Sequence, residues 1–196
     1  MEKRTQGLYI KIPKSYTEFE MEQKAKELDR IEMYDSLNYD KLSQYDEVQS
    51  ISWSCDAFIA TKHDPFHQRL VDEDGNSIID YDLKSIEPHD EFVIYTTTDG
   101  KKGASTYDGV EIIPPKYEFL VFQNSFFIAR KAEDLYFDIF TISGTKLNND
   151  YYVTNYFPYL QKNGEFGIKI KCIFSKGDLP FEKIVRAIPS VFAAHL

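Results

Sequence analysis

Cys55, His63, Asp64 and His67 are the nearest the sequence comes to a reactive constellation. A His-x-x-x-His pair sets two imidazoles on one face of a helix, and Cys55 adds a thiolate that zinc would accept. Asp64 and Pro65 lie between the histidines, however, and favour a turn, where that geometry no longer follows. A zinc site also needs a fourth ligand and groups to orient the first ones, so two solvated loop histidines and no metal are expected. Asp72, Glu73 and Asp74 resemble the start of a calcium loop, but Gly75 arrives too early and the acidic spacing is missing, which leaves a solvated hairpin tip. Cys172 falls in a stripe with Phe166, Ile168, Ile170 and Phe174 and reads as a small buried hydrophobe rather than a nucleophile. The chain has no phosphate-binding Gly-x-x-x-x-Gly-Lys-Ser/Thr loop, no Gly-x-Gly-x-x-Gly, no Gly-x-Ser-x-Gly elbow and no His-Glu-x-x-His. No cofactor and no catalytic residues are assigned, and an enzyme is not expected.

Charge and composition narrow the partners. The 196 residues carry 23 Lys and Arg against 32 Asp and Glu, a net charge of −9 that repels nucleic acid and anionic lipid. No apolar run approaches the roughly 20 residues of a membrane helix, and Met1 to Gln6 lack a signal-peptide apolar region, so a soluble cytoplasmic protein is expected. Two cysteines are too few for a disulfide framework. Hydrophobic residues at 42% suffice for a core, and the 15% aromatic content, from 14 Tyr, 15 Phe and the single Trp53, suits the half-buried surface of strands.

The elements that must position these residues are mostly strands. Ser15, Tyr16, Thr17 and Glu18 read as a capping box, and Phe19, Met21, Ala25, Leu28 and Ile31 recur at helical spacing, so one amphipathic helix is expected from about Tyr16 to Met33. Beyond it, five turn signals separate apolar runs: Asp74-Gly75, Asp99-Gly100, Asp108-Gly109, Ser143-Gly144 and Asn163-Gly164. Such pairs suit the positive φ of tight two-residue hairpins. Gly75, Gly109 and Gly144 are spaced by 34 and 35 residues, which is a repeat period. Aligned on them, each unit holds three strands, closing with "EFVIYTTT", "SFFIARK" and "YFPYLQK", and a fourth unit starts at Phe166 but lacks its hairpin glycine. Pro114-Pro115 is expected to end a strand at an edge. Asp178, Pro180, Phe181, Ile184, Val185 and Ile188 read as a short C-terminal helix, broken by Pro189.

The stretch Asp99 to Lys131 resembles the bacterial WG repeat, through Asp99, Gly100, Lys101, Gly103, Gly109, Ile113, Pro114, Pro115 and Tyr117. Asn163 to Lys171 resembles the start of another copy, with Phe166 at the Trp position; Lys102 stands there in the better copy. The resemblance implies a β-rich repeat array that serves as an interaction module without shared catalytic residues.

The expected fold is therefore mainly β: an N-terminal helix and connector over 1–47, an antiparallel meander of about three WG-like units over 48–177, and a helical cap over 178–196. The expected function is non-catalytic protein–protein binding, of the inhibitor or immunity type that masks a basic effector. Asp72, Glu73, Asp74, Glu87, Asp90 and Glu91 are expected to project together from one end of the meander and meet that partner. The rival reading is an enzyme or small-ligand-binding protein with an aromatic-lined pocket.

Overall fold

The computed structural model describes residues 39–51, 56–160 and 166–187. The expected N-terminal helix, Trp53, Cys55, the Asn163-Gly164 turn and the apolar tail from Ile188 lie outside them. After one turn of helix, α1 (Tyr39–Leu42), the described chain is all strand: β1 (Glu47–Ser50), β2 (Ala57–His63), β3 (Phe66–Asp72), β4 (Leu83–Pro88), β5 (Phe92–Thr97), β6 (Lys102–Thr106), β7 (Glu111–Tyr117), β8 (Phe119–Gln123), β9 (Phe126–Arg130), β10 (Asp138–Thr141), β11 (Tyr152–Leu160), β12 (Phe166–Ile173) and β13 (Phe181–Arg186). Every pairing is antiparallel and between neighbours in sequence, in sheets β1 to β7, β8 to β10 and β11 to β13.

The repeat read from the glycines is a repeat of register. Four residues before each glycine pair with two residues after it: Val71 with Ser77, Ser105 with Glu111, Phe140 with Lys146. Seven residues before it, Gln68 meets Leu83 and Lys102 meets Tyr117, while Phe137 meets Val153, because the third unit is one residue longer here. The units are thus β3 to β5, β6 to β9 with its second strand bent between Tyr117 and Phe119, and β10 to β12. This moves the fourth unit one strand later than expected. "YFPYLQK" belongs to a second strand, β12 is the third strand of unit three, and β13 opens unit four.

The turns correct the two-residue reading. In each, the glycine N–H donates to the carbonyl three residues back, as from Gly109 to Thr106 at 3.2 Å and from Gly144 to Thr141 at 3.0 Å, and that earlier residue donates to the carbonyl four ahead. Only the glycine has positive φ, 87° at Gly109 and 80° at Gly144. This is a three-residue loop with a bulge, in which Asp108 or Ser143 stays in the ordinary region. The residue that opens the turn also caps it: Asp72, Thr97, Thr106 and Thr141 each accept the backbone N–H four residues on, at 2.7, 3.1, 3.0 and 3.0 Å. The true two-residue hairpin is at Asn124 and Ser125, with φ of 49° and 68°, joining β8 to β9.

The 34-residue period is also a packing period. A Cβ on Gly109 would stand 2.8 Å from the Ile78 carbonyl oxygen, and one on Gly144 would stand 2.3 Å from that of Ile112. Each turn therefore rests on the residue three past the preceding turn glycine. Gly75, with no full unit before it, rests on Lys41 and Leu42 of α1 instead.

Third strands are buried between units. On β5, Phe92 and Ile94 enter one core cluster and Val93 and Tyr95 another; on β9, Phe127 and Ala129 face one side and Phe126 and Ile128 the other. Burial on both faces explains why these segments read as unbroken apolar runs. On β12 the described residues cover one face: Ile168, Ile170 and Cys172 are fully buried, as their alternation predicts, but Phe166 and Phe174 at the ends of that stripe are exposed, and Lys169 and Lys171 lie on the other face.

Two further expectations give way. Pro114 and Pro115 sit inside β7, where Ala104 pairs with Ile113 and Lys102 with Tyr117, leaving Gly103 alone opposite Pro114, Pro115 and Lys116. That is a bulge, which tolerates missing N–H groups as well as a strand end does. Phe181 to Arg186 form β13 and not a helix, pairing with β12 from Cys172–Phe181 to Gly167–Arg186. Ladder bonds to an open strand edge outweigh the weak helical periodicity of six residues.

Candidate functional site

The two histidines first singled out do not converge. His63 ends β2 and His67 lies in β3; His63 pairs with Phe66 and Lys62 with His67, so the two imidazoles leave opposite faces of the hairpin. His67 Nδ1 lies 2.9 Å from the Pro65 carbonyl, and the His63 ring stacks near Phe66. Among the described residues no three His, Cys, Asp or Glu side chains gather as metal ligands. Burial pushes the Cys172 thiol up to about 11, against a smaller opposing pull from Lys183.

The six acids form two tips rather than one rim. Asp72, Glu73 and Asp74 lie in the turn before β4; Glu87, Asp90 and Glu91 lie at its far end and in the turn after it. Gln68 meets Leu83 in an antiparallel pair, so β4 runs away from the Asp72 turn and the two tips lie at opposite ends of these strands. Asp72 is occupied by its own turn, accepting from the Asn76 backbone N–H and side-chain amide, and Glu87 lies 3.5 Å from His89.

A different place in the fold has the shape of a site. The extra residue of unit three lies in the connection from β10 to β11, and Asn148 organises it, accepting from Ile139 N–H and donating to the Phe137 carbonyl, both at 2.9 Å. At the equivalent position the earlier units bury Ile79 and Ile113. In place of an apolar core residue this amide holds the connection against β10 and lines a groove. The groove has two adjoining lobes of about 300 and 410 Å³ that share Asp134, Tyr136, Tyr152 and Phe174. The Tyr136 and Tyr152 rings lie 4.8 Å apart, and Phe174, 64% exposed, stacks on Phe181 at 4.6 Å.

Charges of both signs line it. Asp138 is engaged by Lys146 at 2.6 Å and by the Tyr117 hydroxyl at 3.0 Å. Burial, then the charge of Asp138, holds that hydroxyl protonated well above the ordinary tyrosine range. Among the described residues the side chains of Glu133, Asp134 and Asp150 have no such partner, nor do those of Lys131 and Lys176. Sequence reasoning missed the groove. The usable signal was Asn148 where the alignment on Gly144 calls for isoleucine.

No family model matches the chain, and no curated protein does. Among solved structures it is similar to the computationally designed Ika4 protein, at 13% identity and TM-score 0.33 over 70% of this chain and 89% of that one. It is also similar to the designed Ika8 protein, at 14% identity and TM-score 0.31 over 65% of this chain and 47% of that one. No helix among the described residues is long and apolar enough to cross a membrane.

Proposed function

We propose that this chain is a non-catalytic protein–protein interaction module of WG-repeat type, which binds a basic partner through the sheet β11 to β13 and the groove beside it. The observation that carries the reading is where burial stops. Among the described residues β5 and β9 are covered on both faces, whereas β12 is covered on one. On the other face Phe157, Lys169 and Ile184 stand in register across β11, β12 and β13, with Phe157 and Ile184 both exposed. Exposed large apolar side chains brought together on one sheet face are the kind of surface that a partner covers. The net charge of −9 favours a basic protein, and the acidic tips at Asp72 to Asp74 and at Glu87 to Glu91 would steer its approach while the aromatic groups hold it. Masking of a basic effector, as by an inhibitor or immunity protein, fits that polarity.

The groove supports a second reading, a small-ligand site, since about 300 Å³ lies at the low end of the range for such sites. Affinity capture from the producing cells separates the two. The first predicts a basic protein retained in stoichiometric amount and lost from a Phe157→Glu, Ile184→Glu variant. Retention of no protein, or equal retention by the variant, contradicts it.

A further inference from the structure

We infer that the groove between the β10–β11 connection and the end of β12 is an arginine-binding site, which seats a guanidinium presented by the basic partner. This rests on the protein-binding reading and names the chemistry at its centre. The groove offers flat aromatic surface, and a guanidinium is the planar cation that stacks on such rings while its N–H groups reach carboxylates at the edge. Tyr136 and Tyr152 form a ring pair 4.8 Å apart, and Tyr152 and Phe174 are 48% and 64% exposed, so their surfaces are open to a visitor.

The carboxylates decide the sign of that visitor. Asp138 is already neutralised by Lys146, at 2.6 Å. The carboxylates of Asp134 and Asp150 line the same lobe and have no hydrogen-bond or ion-pair partner among the described residues, and the Lys131 ammonium there likewise has none. The surplus is one negative charge, inside a molecule of net charge −9. A compact ammonium would gain less from the aromatic walls, and it keeps its water more tightly. An anion would meet the surplus charge without relief. The floor is rigid, because Asn148 ties both the Ile139 amide and the Phe137 carbonyl at 2.9 Å, so little ordering is left for binding.

The probe is an acetylated Gly-Arg-Gly-Arg-Gly amide, titrated into the full chain and followed by the ring resonances of Tyr136 and Tyr152. Its partner probe carries citrulline for arginine, which keeps the shape and removes the charge. The arginine peptide is expected to bind in the millimolar range, with citrulline at least tenfold weaker. Tyr152→Ala should weaken the arginine peptide at least tenfold, and Asp134→Asn with Asp150→Asn at least fivefold. No binding, equal binding of the two peptides, or unchanged binding by the variants overturns the assignment. So does preference for a neutral disaccharide such as maltose, which would give the groove to an uncharged ligand. Phe157 and Ile184 do not line the groove, so failure here leaves the capture result of the sheet face untouched, and failure of capture leaves the peptide result to stand alone.

Discussion

Gly144 and Gly100 have nearly the same backbone, with φ of 80° and 85°, and opposite surroundings. A Cβ at Gly144 would press to 2.3 Å of the Ile112 carbonyl, whereas nothing lies within 4 Å of one at Gly100. Strain from a left-handed residue alone costs about 1–2 kcal/mol. Gly100→Ala should therefore destabilise by about that amount, and Gly144→Ala by at least ~1 kcal/mol more, because the turn must also leave its ledge on the preceding unit. Chemical denaturation of the two variants checks this, and equal midpoints would show that the 34-residue period is not a packing period. The same comparison shows what residues alone disclose. The glycines were legible as turn markers, yet the loop type depended on Asp72, Thr97, Thr106 and Thr141, whose capping bonds have no signature beyond a polar residue three places earlier.

Among the elements, the third strands were the easiest to read and the second strands the hardest. "FVIY" and "FFIA" are apolar throughout because both faces are covered, and the alternation of Ile168, Ile170 and Cys172 announces one covered face. Second strands are bent or bulged, as at Pro114–Pro115 and between Tyr117 and Phe119, and no period of two survives such breaks. β13 was misread because Phe181, Ile184 and Val185 fit a helix as well as a strand, and its partner β12 lies outside any local window. The candidate groove was hidden for a related reason: it arises from one added residue between two paired elements.

Burial in these strands also sets the response to alkali. Tyr95 and Tyr117 are held protonated above their ordinary 10.0, first by burial and then by Glu111 and Asp138 respectively, and burial raises Cys172 from 9.0 to about 11. The folded chain keeps these protons at pH values where the unfolded chain has released them. Their contribution is complete below about pH 9 and falls as pH climbs through 9 and then 10. The denaturation midpoint should be level from pH 7 to 9 and decline beyond it, with a shallower decline in Tyr117→Phe. A midpoint that rises above pH 10 would contradict the burial of these groups.

At the scale of the whole molecule, the repeat explains both stability and exposure. Each unit buries its third strand with help from the next, and among the described residues no further strand follows β13 to lie over β12. At the N-terminal end α1 fills that role, with Leu42 packed on Phe58, Ala60 and Val71. At the other end, the described residues leave Phe157, Ile184 and the groove open. The partner we propose would bind at that end, and the acidic tips near Asp72 and Asp90 would steer its approach over a Debye length of about 10 Å at 0.1 M salt. Backbone hydrogen exchange of the chain with and without its captured partner reads the location directly. Protection confined to β11–β13 and the β10–β11 connection is the predicted result. Protection confined to residues 72–76 and 88–91, or none anywhere, would contradict the account.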